Sequence, residues 1–136
     1  MREWEEVQRE VSRGVDELEV QKHRHLKNVF EEFQKHFKEV FGFVTAGGTT
    51  DVRLGHGPEG PSGLTKGHYG LEVRVGWSGE PPKGWSDLSG GQKTLVSLSF
   101  LLALQRCCPA PYYVLDEVDA ALDPVYLPRI VELIAR

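Results

Sequence analysis

The chain has 136 residues, 40% of them hydrophobic and 26% charged, which suits one globular domain with an extended element attached. Its net charge of -4 advertises no nucleic-acid surface, so any DNA contact must come from a local patch or from other parts of an assembly. No run of about 18 apolar residues occurs, and the acidic start Met1-Arg2-Glu3-Trp4-Glu5-Glu6 fits neither a signal nor a transit peptide, so membrane attachment is not expected.

From Arg2 to about Phe41 there is no proline, and apolar residues recur at every third or fourth place. Trp4, Val7, Val11, Val15 and Leu18 form a narrow first series; Leu26, Val29, Phe30, Phe33, Phe37, Val40 and Phe41 form a broader, aromatic one. This period predicts a helix of roughly 60 Å if unbroken. Residues 1–41 are therefore assigned to a coiled-coil-like neck, the first half reaching for a partner helix and the second docking on a lobe. His23, His25 and His36 lack the i,i+4 pairing that zinc needs and read as a solvated face.

Residues 42–136 form the lobe. Gly42 to Gly48 ends the helix, and the Gly- and Pro-rich run from Gly55 to Gly70 reads as a hairpin connection. Around it Val52 and Leu54 flank Arg53, while Leu71, Val73, Val75 and Trp77 alternate with Glu72, Arg74 and Gly76. Period two with one polar face predicts a half-buried antiparallel pair. Glu80-Pro81-Pro82-Lys83-Gly84 breaks the strand and leads to Trp85.

Leu88-Ser89-Gly90-Gly91-Gln92 then opens an apolar stretch, Leu95 to Leu104, that is long enough for a helix of about three turns, with Leu95, Leu98, Leu101 and Leu102 as core. Ser89 suits an N-cap, and a Ser-Gly-Gly step there offers a hydroxyl and unpaired N–H groups at the positive end of a helix dipole. Phosphate is the natural guest, since Gly90 and Gly91 carry no Cβ to block it; Lys93 and Thr94 lie close enough to touch it too. The adjacent Cys107 and Cys108 fit neither a metal motif nor a disulfide framework and point to a reducing compartment. Tyr112-Tyr113-Val114-Leu115 has the length of a buried parallel strand, ending in Asp116-Glu117. A carboxylate there can hold Mg²⁺ directly or through water, and its neighbour can orient or deprotonate an attacking water. Asp123-Pro124 suggests a turn, and Pro128 the first position of a last helix with Ile130, Val131, Leu133 and Ile134 buried.

In this order the motifs resemble the C-terminal half of an ABC-type ATPase head: signature Leu88 to Gln92, Walker B strand ending at Asp116-Glu117, D-loop Ala121-Leu122-Asp123. Transporters of that superfamily usually place proline after the acidic pair, and this chain has Val118. The run from Pro109 to Asp123 is instead similar to structural maintenance of chromosomes (SMC) proteins. Gln92, Val118 and Ala120 lean towards the condensin subunit that carries Gln in its signature, with the cohesin subunit carrying the same Gln as runner-up.

The resemblance implies an α/β fold, part of a mixed sheet plus helices, preceded by the returning coiled-coil arm. It implies that Asp116 holds Mg²⁺ and Glu117 polarises water on ATP bound by the N-terminal half of the same head. Leu88, Ser89, Gly90, Gly91 and Gln92 would reach the γ-phosphate of ATP on a second, opposing SMC head, with Asp123 lining the interface of what is expected to be a heterodimer. The neck could also receive a kleisin subunit at Val7, Val11 and Leu18, and DNA would be met through the full complex, on the chromosome in a nucleus or in prokaryotic cytoplasm.

No Gly-Lys dipeptide occurs in the chain, so the Walker A loop, which cradles phosphate with backbone amides and a lysine, has no counterpart. Gly47-Gly48-Thr49-Thr50 has the glycines and reads as a tight turn. The expectation is half a site: ATP hydrolysis only with a Walker A half and a partner head, serving chromosome condensation or cohesion. Two other readings stay open, a non-catalytic module that binds a kleisin or partner head, and another ABC-type ATPase such as a DNA-repair enzyme.

Overall fold

In the computed structural model, residues 2–55, 70–118 and 120–135 are described, Arg2 and Glu3 by backbone alone. The expected hairpin connection at 56–69 lies outside them, as does Asp119. Helix α1, Arg2–Val44, is continuous, as expected of 43 residues without proline. Its two halves differ in what they cover. Trp4, Val7, Val11, Val15 and Leu18 are all exposed, whereas Phe33, Phe37, Val40, Phe41 and Val44 are buried.

The helix ends two residues later than the glycine at 42 predicts, because a capping turn closes beyond it. Gly47 N–H donates to Gly42 O at 2.8 Å, with Ala46 and Gly47 both at positive φ (57° and 107°). The Thr45 hydroxyl bonds Phe41 O and accepts from Gly48 N–H at 3.0 Å. The chain reverses there into a sheet.

Strands β1, Thr49–Gly55, and β2, Gly70–Gly76, pair antiparallel with Val52 opposite Val73 and Thr50 opposite Val75. Val52 and Val75 are buried, Val73 and Trp77 partly so, and Leu71 at the far end is exposed: the expected alternation, fading away from the core. Beyond the double proline a two-residue strand β3, Lys83–Gly84, adds to the other edge of β2, giving the order β1-β2-β3. The prolines end one strand without ending the sheet.

A single 3₁₀ turn, Trp85–Asp87, leads into α2, Gly90–Cys107, which packs along the second half of α1. Phe33 and Phe37 lie against Phe100, with ring centroids at 4.5 and 5.8 Å, and share one core with Val52, Val75, Leu88 and Val96. A second core joins Val40 and Val44 of α1, Leu95, Leu98 and Leu102 of α2, and Leu122, Ile130 and Leu133. Leu101, expected in the core, is 42% exposed: it projects from a side of α2 that no described element covers.

Residues 112–116 correct a larger expectation. Tyr112 to Leu115 form no strand, and Tyr112 and Val114 are 78% and 85% exposed. An isolated parallel strand leaves its N–H and C=O groups without a ladder, and no described strand lies beside this one. The segment is held locally, the Tyr113 hydroxyl accepting from Ala110 N–H at 2.6 Å. Helix α3, Leu127–Ile134, follows, with Pro128 at its second rather than first position. Ile130 and Leu133 are buried; Val131 and Ile134, predicted beside them, are exposed for the same reason as Leu101. Among the described residues no helix is long and apolar enough to cross a membrane.

Candidate nucleotide-facing site

Ser89 is the N-cap of α2. Its Oγ accepts from Gln92 N–H at 3.3 Å, and the Gln92 side chain answers by accepting from Ser89 N–H at 3.0 Å. The Ser-x-x-Gln pattern of this capping box is legible in the sequence, and it gives Gln92 a local role beside any functional one. Capping uses only a lone pair of the hydroxyl, so its proton remains to be donated outward. Ser89 and Gly90 are exposed, and Leu88 is buried in the core below, fixing the corner's base.

The two glycines serve different ends. A Cβ on Gly90 would meet nothing within 4 Å, so its surroundings stay open to an approaching anion. A Cβ on Gly91 would stand 3.2 Å from the carbonyl oxygen of Ala121. Gly91 therefore lets the backbone at Ala121 lie against α2, which the expectation of phosphate access for both glycines did not foresee. The Ser89-Gly90-Gly91 corner and the loop expected to be the D-loop are brought together at this point, and Leu122 locks the contact by burying itself near Leu95 and Leu98.

The acidic pair lies on the exposed segment that precedes this loop. Asp116 and Glu117 are both exposed, and Glu117 has φ 47°, a left-handed conformation that turns the chain towards Ala120, whose N–H donates to Glu117 O at 3.2 Å. Val118 packs on the core of Leu95, Leu98 and Leu122, so the residue after the acidic pair is tied to the base of α2. Asp123 is exposed, with Oδ1 accepting from Val125 N–H at 3.0 Å.

Among the described residues no three His, Cys, Asp or Glu side chains gather to hold a metal. Magnesium seeks six oxygens and commonly takes only one or two carboxylates, the rest coming from water and substrate phosphate. The exposed carboxylate of Asp116 fits that share. Gly47 and Gly48 form the tight turn described above, not a phosphate cradle.

The two groups whose titration the fold displaces, Cys107 and Arg53, lie away from this corner. Burial pushes the Cys107 thiol above its ordinary value, with Cys108 and Glu32 adding to the rise, which makes it a poor nucleophile. The hydrogen bond and charge of Asp51 hold the Arg53 guanidinium above its own. His36 departs from the solvated face expected of it: its Nδ1 is buried without a hydrogen-bond partner, 3.6 Å from Glu39 Oε2. Three residues with structural roles near the D-loop were not singled out from sequence for them: Trp77, Tyr126 and Arg129. Their signal was weak, a tryptophan in a strand pattern and an arginine that shares a mostly apolar helix with Glu132.

Residues 8–136 match the family model of the RecF/RecN/SMC N terminal domain. The chromosome partition protein Smc of Pyrococcus furiosus is 36% identical over 121 residues, covering 88% of this chain and 10% of that protein. This chain thus spans about a tenth of the length of the curated relatives it matches. The solved Smc head domain with an extended coiled coil from Pyrococcus furiosus, bound to the C-terminal domain of ScpA, superposes with TM-score 0.73 at 33% identity, covering 88% of this chain and 29% of that one. A structure solved in work on ATP-driven dimerization and DNA-stimulated activation of SMC ATPases superposes with TM-score 0.67 at 32% identity, covering 82% of this chain and 63% of that one. With its long helix, antiparallel sheet and docked helices matching the fold of an SMC head domain, the chain belongs to the RecF/RecN/SMC N terminal domain family.

Proposed function

We propose that this chain is the C-terminal half of an SMC ATPase head that works only when joined by an N-terminal half carrying the Walker A loop and by a second head. ATP held by the N-terminal half is then met on one side by Asp116, as a Mg²⁺ ligand, and by Glu117, as the base for water. The Leu88 to Gln92 corner of the opposing head meets the γ-phosphate, with Asp123 at the seam. ATP joins the heads and hydrolysis releases them. The observation that supports this reading is the close approach of the Ala121 carbonyl to Gly91, beside which Ser89, Gly90 and Asp123 are all exposed. The likeness to the structure solved in work on ATP-driven dimerization of SMC ATPases supports it further.

On this reading the partner is a second, non-identical SMC head, a kleisin subunit joins at the neck, and DNA is engaged by the full complex on the chromosome. Gln92, Val118 and Ala120 favour the condensin type over the cohesin type. A second reading has its own support: the exposed series Trp4, Val7, Val11, Val15 and Leu18 suits a module whose work is to bind a partner helix without catalysis. Kleisin peptides that bind this chain in the absence of nucleotide, with no ATPase activity on mixing with the N-terminal half, would favour it.

Chain and N-terminal half, reconstituted with a partner head, test the first reading. Glu117→Gln should preserve ATP-dependent head dimerisation and lower turnover by about 10²-fold or more, as loss of a general base does. Ser89→Arg should abolish dimerisation itself, because its bulk fills the open corner. Normal turnover in Glu117→Gln would show that another group activates the water.

A further inference from the structure

The D-loop residue Asp123 is exposed, yet the backbone that carries it is anchored on both sides. Leu122 before it is buried. After it Tyr126 N–H donates to Asp123 O at 3.0 Å and Leu127 N–H to Pro124 O at 3.3 Å, so 123–127 form a compact pair of turns. Two side chains fasten these turns to the body. The Tyr126 hydroxyl accepts from Trp77 Nε1–H at 3.1 Å, and Trp77, just past the end of β2, meets Phe41 edge-on at 5.5 Å. One turn further, Arg129 donates to Val44 O at 3.2 Å and Phe43 O at 3.5 Å.

Those two carbonyls belong to the last turn of α1, at the negative end of its dipole, where Phe43 O also accepts from Ala46 N–H at 3.4 Å. Ile130 and Leu133 already dock α3 by apolar burial, but that attraction is non-directional and tolerates sliding and rotation. The hydrogen bonds of Tyr126 and Arg129 fix what burial leaves loose.

We propose that Tyr126 and Arg129 are positioning residues for Asp123, setting the D-loop against the sheet through Trp77 and against the C-terminal carbonyls of the neck helix α1. This rests on the reading that Asp123 lines the seam between two ATP-joined heads. Neither residue touches nucleotide; both act through the loop, and through Arg129 the end of the neck becomes part of the support of the site.

The test uses this chain reconstituted with the N-terminal half and a partner head, measuring kcat, KM for ATP and ATP-dependent dimerisation. Arg129→Gln should lower kcat roughly tenfold, the scale on which small misplacements act, with KM for ATP within twofold. Arg129→Lys, which can still reach a carbonyl, should recover part of the loss. In an Asp123→Ala background Arg129→Gln should change nothing further, because the group it positions is gone. Tyr126→Phe removes one hydroxyl only and should show the same pattern more weakly, which keeps the test decisive if Arg129→Gln does not fold. An effect that adds in full to Asp123→Ala, or a folded Arg129→Gln and Tyr126→Phe with normal kcat, would overturn the proposal. If the wild-type assembly neither dimerises with ATP nor hydrolyses it, the functional reading itself fails and takes this inference with it; an active wild type with a defective Asp123→Ala and silent Arg129 and Tyr126 variants removes this inference alone.

Discussion

Glycine identities in this chain have to be read one at a time. Gly90 faces open space, Gly91 yields to a carbonyl, and Gly48 sits where a Cβ would stand 2.7 Å from the ring of Phe41 and 3.0 Å from Gly76 O. That Cβ would also collide with the Thr45 hydroxyl, and because Phe41 belongs to the core and Gly76 O to the sheet backbone, neither of those two can swing aside. Gly48→Ala should therefore cost about 1–3 kcal/mol, the usual range for overpacking, in chemical denaturation of the reconstituted head, while Gly90→Ala should cost well under half of that. Equal costs would mean that the turn after α1 is looser than its contacts show. The sequence displays all three as the same letter; what separates them is which distant atom arrives, Ala121 for one and Gly76 for another. The capping box differs, since both partners lie within one turn and the Ser-x-x-Gln spacing alone announces it.

At the level of elements, the division of α1 was legible because apolar spacing and aromatic content both change near Leu26. The antiparallel pair was legible for a similar reason, period two in Val73, Val75 and Trp77. Tyr112 to Leu115 shows where such reasoning stops: an apolar run records the environment a segment is built for, and a strand forms only if neighbours arrive to pair with it. The two halves of α1 make a quantitative contrast. Phe37→Ala should destabilise the reconstituted head by about 3–5 kcal/mol, as expected of a fully buried aromatic. Val11→Ala should fall within about 0.5 kcal/mol in the same measurement, and should acquire a cost only when a partner helix is added. A large cost without one would show that the first half already packs against something.

Across the whole molecule, besides those of the first half of α1, a second set of uncovered apolar residues lies on α2, α3 and the segment between them. Leu101 and Leu104 of α2, Val131 and Ile134 of α3, and Tyr112 and Val114 between them are all exposed, while Leu102, Tyr113, Leu115, Leu133 and Ile134 line a shared groove. Contiguous exposure of this kind marks a surface made to be covered, and the proposed N-terminal half would cover it. Expressed alone, the chain should bind a hydrophobic dye such as ANS and melt without a sharp transition; adding the N-terminal half should suppress the dye signal and sharpen the melt. A cooperative melt of the isolated chain with no dye binding would contradict this. Leu101, Val131 and Ile134 were read in sequence as ordinary core, since periodicity reports that a face is apolar and not which polypeptide meets it.

One feature of α1 bears on how force could travel. Forty-three helical residues make a rod about 65 Å long, gripped near its base by the aromatic core and by Arg129 on its final carbonyls. A tilt of about 5° at that grip displaces the far tip by about 6 Å over this length. Leverage runs the other way as well: a load applied at Trp4 reaches the fulcrum magnified, beside the turn that carries Asp123.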